Sequence, residues 1–254
     1  MNAPKLLGRT AAVTGASRGI GKAIAMRFAM EGARVLMLGR SQEALIGARD
    51  EIKKLSGVQD PSSMRLEAHE HDVRVPENWK YLAKMTPELD ILVNCAGITQ
   101  NSLLARTDPK PMEDILATNL QGAIYGCKWI GRQMMRNCRS TDGYTSCIIN
   151  VSSLLAFKGV AGTSVYAASK AGLLGLTTSL AAEYAPAGVR VNAIVPGYIA
   201  TDMTKDLGNL VAKMKIPLNR LGTPDEVADA ALFLAANDYA SNCILNLDGG
   251  LSAV

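Results

Sequence analysis

The sequence predicts an α/β fold: one doubly wound parallel sheet of about seven strands with helices on both faces. Short apolar or β-branched runs alternate with longer stretches of helical spacing along all 254 residues, the pattern of right-handed βαβ crossovers. Runs such as Asp90-Ile91-Leu92-Val93 are apolar almost throughout, as strands covered on both faces are. No repeat and no linker divides the chain, so 1–254 is expected to be a single domain, a size that α/β units reach.

Thr10–Thr14 is the first predicted strand and runs into a glycine-rich turn. Ile24 and Phe28 mark the apolar face of a helix from Ile20 to Met30, which Glu31-Gly32 ends. Arg34–Leu38 is the second strand, and Ser41 is placed to cap a helix over Gln42–Leu55. Met64–His69 is the third strand, and Pro76 opens a helix through Met85. Leu89–Val93 is the fourth strand, followed by a long helical stretch, Met112–Met135, in one or two pieces. Cys147–Val151, Val189–Val195 and Cys243–Leu247 complete the strands, interleaved with helices over Thr163–Tyr184 and Pro224–Ala236. Ser56–Ser63 and Asn137–Thr145, rich in Ser, Asp, Asn and Gly, read as surface loops.

Composition narrows the function. Apolar residues make up 48% of the chain, enough for a large core and too many for a disordered segment. The net charge is only +4, the longest basic cluster is Lys53-Lys54 and aromatics are 5%, so no stripe for nucleic acid is expected. The apolar run Ala230–Ala236 is far short of the roughly 20 residues that span a bilayer. Met1–Lys5 carries no apolar stretch of the kind a signal peptide has. The cysteines number 5, with no Cys-x-x-Cys, which fits free thiols in a reducing compartment, the cytoplasm or the mitochondrial matrix. His69 and His71 share a strand face beside Glu70 and Asp72, but no further ligand set accompanies them, and no metal site is expected.

The turn after the first strand, Thr14-Gly15-Ala16-Ser17-Arg18-Gly19-Ile20-Gly21, opens a helix. Its Gly-x-x-x-Gly-x-Gly spacing is a variant of the Rossmann-type dinucleotide turn, in which glycines admit close backbone approach and the helix N-terminus faces a phosphate. Gly15, Ser17, Arg18, Gly19, Ile20 and Gly21 are therefore candidate cofactor residues. An acid at the end of the second strand would hydrogen-bond the ribose 2′-OH and favour NAD. This chain has Leu38-Gly39-Arg40-Ser41 there, and Arg40 with Ser41 and Arg18 suits a 2′-phosphate, which predicts NADP(H). Asp72 and Val73 follow the third strand, placed for the adenine edge, and Asn94, Ala96 and Gly97 follow the fourth, where small residues let a ribose lie on the backbone.

Tyr166 and Lys170 are four apart, on one helix face. A phenol is a poor acid near neutral pH, and a neighbouring ammonium favours its phenolate. Ser153 falls just past the fifth strand, at the carboxyl edge where open α/β sheets bind ligands. Asn119 lies mid-helix, a place that asks for a partner for its amide.

Through Thr14–Gly21, Asp72, Asn94–Gly97, Asn119, Ser153, Tyr166-x-x-x-Lys170 and Pro196-Gly197, the chain resembles the short-chain dehydrogenases/reductases over nearly its whole length. The tracts Ala96–Leu104 and Pro196–Met203 are similar to those of the 3-oxoacyl-[acyl-carrier-protein] reductases. The resemblance implies NADPH-dependent reduction of a 3-oxoacyl thioester, on acyl carrier protein or CoA, to the 3-hydroxyacyl product in fatty-acid synthesis. It makes Tyr166 the proton donor to the carbonyl oxygen and gives Lys170 two tasks, lowering the phenol pKa and holding the nicotinamide ribose. Ser153 hydrogen-bonds the oxygen as charge develops, and Asn119 anchors a relay water. Pro196, Gly197, Ile199 and Thr201 meet the nicotinamide end, and a mobile cover near 199–216, centred on Met203–Met214, closes over substrate. The family's helices corresponding to Met112–Met135 and Thr163–Tyr184 pack against copies, which implies a homotetramer, with a hetero-oligomer as the variant.

Three departures bear on this reading. Cys95 stands where the family's Asn-Asn-Ala-Gly has its second Asn, and Ser241-Asn242 stands where Thr-Gly is usual. The turn Pro186-Ala187-Gly188 lacks the basic residue that carrier-binding relatives often place there, leaving Arg132, Arg136 and Arg139 as a patch for an acidic partner. A reductase of free carbonyls, quinones or hydroxysteroids is the alternative, and a non-catalytic subunit of a hetero-oligomeric reductase the alternative of another class.

Overall fold

The computed structural model describes residues 3–57, 63–137, 145–202, 204 and 216–253. Seven parallel strands form one sheet: β1 (Thr10–Thr14), β2 (Arg34–Gly39), β3 (Leu66–Glu70), β4 (Ile91–Asn94), β5 (Ser146–Val151), β6 (Val189–Pro196) and β7 (Ile244–Leu247). Their order is β3-β2-β1-β4-β5-β6-β7. The chain starts at the middle, walks to one edge, returns through β4 and walks to the other. β1 and β4 are therefore neighbours, with Val13 opposite Val93. Their connections leave in opposite directions, which opens a crevice at their carboxyl ends.

Among the described residues, seven α-helices cover the sheet: α1 (Gly19–Met30), α2 (Gln42–Leu55), α3 (Pro76–Met85), α4 (Pro109–Leu116), α5 (Gly122–Asn137), α6 (Ser164–Tyr184) and α7 (Pro224–Ala236). Alternation along the strands divides the core into two layers. Val35 and Met37 pack with Phe28 of α1, Leu45 and Ile52 of α2 and Leu234 of α7. Leu36 and Leu38 face the other way, with Trp79 of α3, Ile130 and Met134 of α5 and Leu180 of α6.

Several boundaries differ from the sequence expectation for local reasons. The stretch expected over Met112–Met135 starts at Pro109, because Asp108 is extended and Pro109 suits the first helical position. It then loosens into a π-helical turn, Ala117–Gln121, before α5. β3 begins at Leu66 because Leu66 N–H bonds Met64 O, closing a turn. Cys243 precedes β7, its N–H accepted by Asn192 Oδ1 at 2.9 Å. His71 lies beyond the end of β3 and so does not share a strand face with His69. It is buried edge-on against Trp79, at 4.4 Å between ring centroids, and burial pushes its imidazole down to about 4. His69 is half-exposed beside Glu67.

Most of the two expected loops, 58–62 and 138–144, and most of the expected cover, 203 and 205–215, lie outside the described residues, as does Arg139. Among the described residues, no helix is long and apolar enough to cross a membrane, and Cys95, Cys127, Cys147 and Cys243 are free thiols.

Candidate active site and nucleotide cradle

The glycine turn is built for close approach. Gly15 has φ +68, and a Cβ there would stand 2.9 Å from Ala96 Cα. A Cβ on Gly21 would run into the carbonyl oxygen of Gly15. Ala16 N–H bonds Leu38 O at 3.2 Å, which ties the turn to β2. Thr14 ties it to β4: its hydroxyl donates to Val93 O (3.2 Å) and accepts from Cys95 N–H (2.9 Å) and Ala96 N–H (3.0 Å). In the sequence Thr14 reads only as the start of the turn, and its part in joining the two strand ends is not visible there.

Arg18, extended, caps α1 without a side-chain hydrogen bond, and α1 has no acid in its first turn. The free N–H groups and positive dipole end there fit a phosphate. Ser17 is half-buried beside them, and Ile20 packs on the core below. Thr201 reaches over this end of the sheet, its Cγ2 lying 3.4 Å from where a Cβ on Gly19 would be. Arg18 and Arg40 are exposed, and neither has an ion-pair partner among the described residues. Ser41 caps α2, accepting from Ala44 N–H at 3.2 Å. No carboxylate stands at the end of β2, so the cradle fits a phosphate on the ribose better than a bare 2′-OH.

Asp72 is held by Arg74 at 2.6 Å, and that bond keeps its carboxyl below the usual range, with Arg40 adding a smaller pull. Val73 is buried, its carbonyl accepting from Trp79 Nε1 at 2.9 Å. The Asn94 side chain is buried and donates to Asn150 Oδ1 at 2.9 Å, whose own amide donates to Thr177 Oγ1 at 2.9 Å. It therefore fixes β4 to β5 and α6, and Ala96 and Gly97 form the surface above it. On the far side of the cleft Pro196 ends β6, Gly197 packs closely on Asp248, and Ile199 bridges to Gly222.

The four predicted catalytic residues converge next to this cradle. A Cβ on Gly97 would lie 3.4 Å from Asn119 Oδ1 and 3.5 Å from Lys170 Nζ. Asn119 sits in the π-helical turn and is fully partnered. It accepts from Ile98 N–H (2.8 Å) and donates to Ile98 O (3.0 Å) and Ser169 Oγ (3.0 Å). Lys170, 4% exposed, donates to Val151 O at 2.9 Å, and burial lowers its ammonium to about 8. Its Nζ lies 5.8 Å from the Tyr166 ring centroid. Ser152 holds this turn of α6 by donating to Lys170 O at 2.7 Å. Ser153 follows the end of β5 and brings its hydroxyl beside the Tyr166 phenol. Burial pushes that phenol up from its ordinary value, and the Ser153 hydroxyl pulls the other way. A half-buried phenol, a serine hydroxyl beside it and a buried cation one turn away can together deliver a proton to a carbonyl oxygen and steady the charge it gains.

The profile of the family described as short chain dehydrogenase matches residues 9–210. The chain belongs to this family, an oxidoreductase acting on CH–OH/C=O groups. It is 40% identical over 243 residues to a 3-oxoacyl-[acyl-carrier-protein] reductase of Bos taurus, covering 96% of this chain and 98% of the relative. It is 39% identical over 245 residues to carbonyl reductase family member 4 of Danio rerio, with 96% and 98% covered. A solved structure from Agrobacterium tumefaciens, put forward as a 2-deoxy-D-gluconate 3-dehydrogenase and holding NADP, superimposes with TM-score 0.87 at 34% identity over 100% of both chains.

Proposed function

We propose that this chain is an NADPH-dependent reductase of 3-oxoacyl thioesters, acting as one domain over 1–254 and forming 3-hydroxyacyl thioesters for fatty-acid synthesis. The grouping of Tyr166 with Ser153 and with Lys170, whose ammonium lies beside Gly97, carries the reading. A nicotinamide dinucleotide supplies the hydride when bound. The chain's own residues do the rest: Tyr166 gives its proton to the substrate carbonyl oxygen, Ser153 hydrogen-bonds that oxygen, and Lys170 holds positive charge near both. The Gly15–Gly21 turn with Arg18 and Arg40 holds the phosphates, and the names of similar proteins support the acyl substrate. Arg132 and Arg136, on exposed positions of α5, are candidate contacts for an acidic carrier. Free thiols fit a reducing compartment, the cytoplasm or the mitochondrial matrix.

A second reading, reduction of free carbonyls or quinones, is favoured by one observation: the turn Ala185–Ala187 before β6 offers a carrier protein no cation. Steady-state kinetics with acetoacetyl-CoA, its carrier-bound form and a quinone, each with NADPH and NADH, separates the two. A thioester preference with NADPH is expected, and a preference for quinone selects the second. Arg40→Asp is expected to move the cofactor preference toward NADH. An unchanged ratio of kcat/KM values removes Arg40 from the 2′-phosphate site.

A further inference from the structure

Helix α6 does not cap its own start. Its N-cap residue, Thr163, makes no side-chain cap hydrogen bond, and its hydroxyl donates to Val160 O at 2.7 Å instead. The open amides are claimed from the segment after β4. Gln100, only 4% exposed, accepts through Oε1 from Val165 N–H at 2.8 Å and from Tyr166 N–H at 3.3 Å. Its Nε2 donates to Ser102 O (2.9 Å) and Thr107 Oγ1 (3.4 Å). This orientation is unambiguous, because backbone N–H groups only donate and the Ser102 carbonyl only accepts. The carbonyl side of the same residue is held too. Ser169 Oγ donates to Tyr166 O at 2.6 Å and accepts from Asn119, whose amide is locked on both polar groups of Ile98. Residues 98 and 100 thus grip Tyr166 from both sides of its backbone, one through Asn119 and Ser169, the other directly.

We propose that Gln100 is a positioning residue for Tyr166, fixing the first turn of α6 so that the phenol meets Ser153. The need follows from topology. Ser153 lies just past β5, so its hydroxyl faces the Tyr166 phenol only while the start of α6 keeps its place over the sheet. A small rotation at the backbone grows along the side chain to the phenol oxygen. The inference rests on Tyr166 being the proton donor of the proposed reductase.

Gln100→Met keeps length and volume and removes both kinds of hydrogen bond. Two measurements on the full chain read the result. An ultraviolet difference titration against the same background carrying Tyr166→Phe isolates the ionisation of this phenol and needs no turnover. Steady-state reduction of acetoacetyl-CoA separates kcat from KM. Loosening the Ser153 contact is expected to move the ionisation to higher pH. It should lower kcat about tenfold, short of the 100-fold that a full 1 Å misplacement costs, with KM and the NADPH Kd within about twofold. A folded Gln100→Met chain whose phenol titrates and turns over like the parent overturns the proposal. If Gln100→Met does not fold, Gln100→Ala, which leaves room for water on the two amides, is judged by the same criteria. If the parent chain reduces no thioester, the substrate assignment fails by itself, and the titration still decides whether Gln100 holds the phenol.

Discussion

Two opposed neighbours set the acidity of Tyr166: burial holds the proton on, and the Ser153 hydroxyl favours its release. Burial, the larger of the two, favours the protonated phenol, the form a donor in reduction requires. Tyr166→Phe deletes the proton and leaves the ring and the nucleotide turn in place. Its turnover of a 3-oxoacyl thioester is expected to fall at least about 100-fold, the lower end of what a positioned acid contributes, with little change in NADPH affinity. Near-normal turnover would mean that another acid acts. Lys170 gives a pH dependence whose sign follows from burial. Its pKa is lowered to about 8, so the ammonium is present below that pH and is lost as pH rises through it. Reduction is expected to hold steady from pH 6 to 7.5 and to fall through a limb near 8. Lys170→Arg, which stays charged, should lose that limb whatever its absolute rate. A profile that stays flat to pH 9 in the parent chain would show that the Lys170 ammonium is not lost in this range. At this scale the sequence was informative where chemistry demands a residue type at a spacing, as for Tyr166 and Lys170. Gln100, Ser152 and Thr14 stayed hidden because their partners are backbone groups tens of residues away, which spacing does not reveal.

Elements were legible where the period was clean and blurred where tertiary contacts overrode it. The strands fall within a residue or two of expectation: β1, β4, β5 and β6 are buried throughout, which leaves little else possible, while edge strand β3 shows only an alternating apolar pattern. The π-helical turn at Ala117–Gln121 has no signature in composition. It forms where Asn119 leaves the helical surface to bind both polar groups of Ile98. The seam between α3 and α5 offers a test of how tightly the elements fit. A Cβ on Gly126 would lie 2.8 Å from Trp79 Cη2 and 3.0 Å from Asn94 Oδ1, a rigid ring and a bonded amide. Gly126→Ala gains roughly 1 kcal/mol of helix propensity and meets an overpacking cost of about 1–3 kcal/mol. Overpacking against a ring that cannot move aside outweighs the propensity gain, so a lower urea midpoint is expected. Gly47→Ala, mid-α2 with nothing within 4 Å of its Cβ, should shift the midpoint upward. Equal shifts in the two variants would contradict this packing.

At the scale of the molecule, the sheet order and the crevice at β1 and β4 follow from alternating strands and helices, but a single chain does not explain the outer face of α6. Ala168, Ala171, Gly175, Thr178 and Ala182 are all exposed there, with no charge among them. Leu116 and Ile124, on the neighbouring α4 and α5, are 41% and 39% exposed. A helix facing water normally places charged residues on that side, and contiguous apolar surface of this kind marks a contact with another chain. Small side chains let two such helices approach closely, and a two-fold axis sets the same face of one against the same face of the other. A homotetramer is expected, measured by light scattering at micromolar concentration. Ala171→Arg places a bulky, unpaired guanidinium group in the middle of this face, and should release a smaller species with the far-ultraviolet spectrum intact. A monomeric mass for the parent chain would reject the assembly. A tetramer that survives Ala171→Arg would place its interface on some face other than α6.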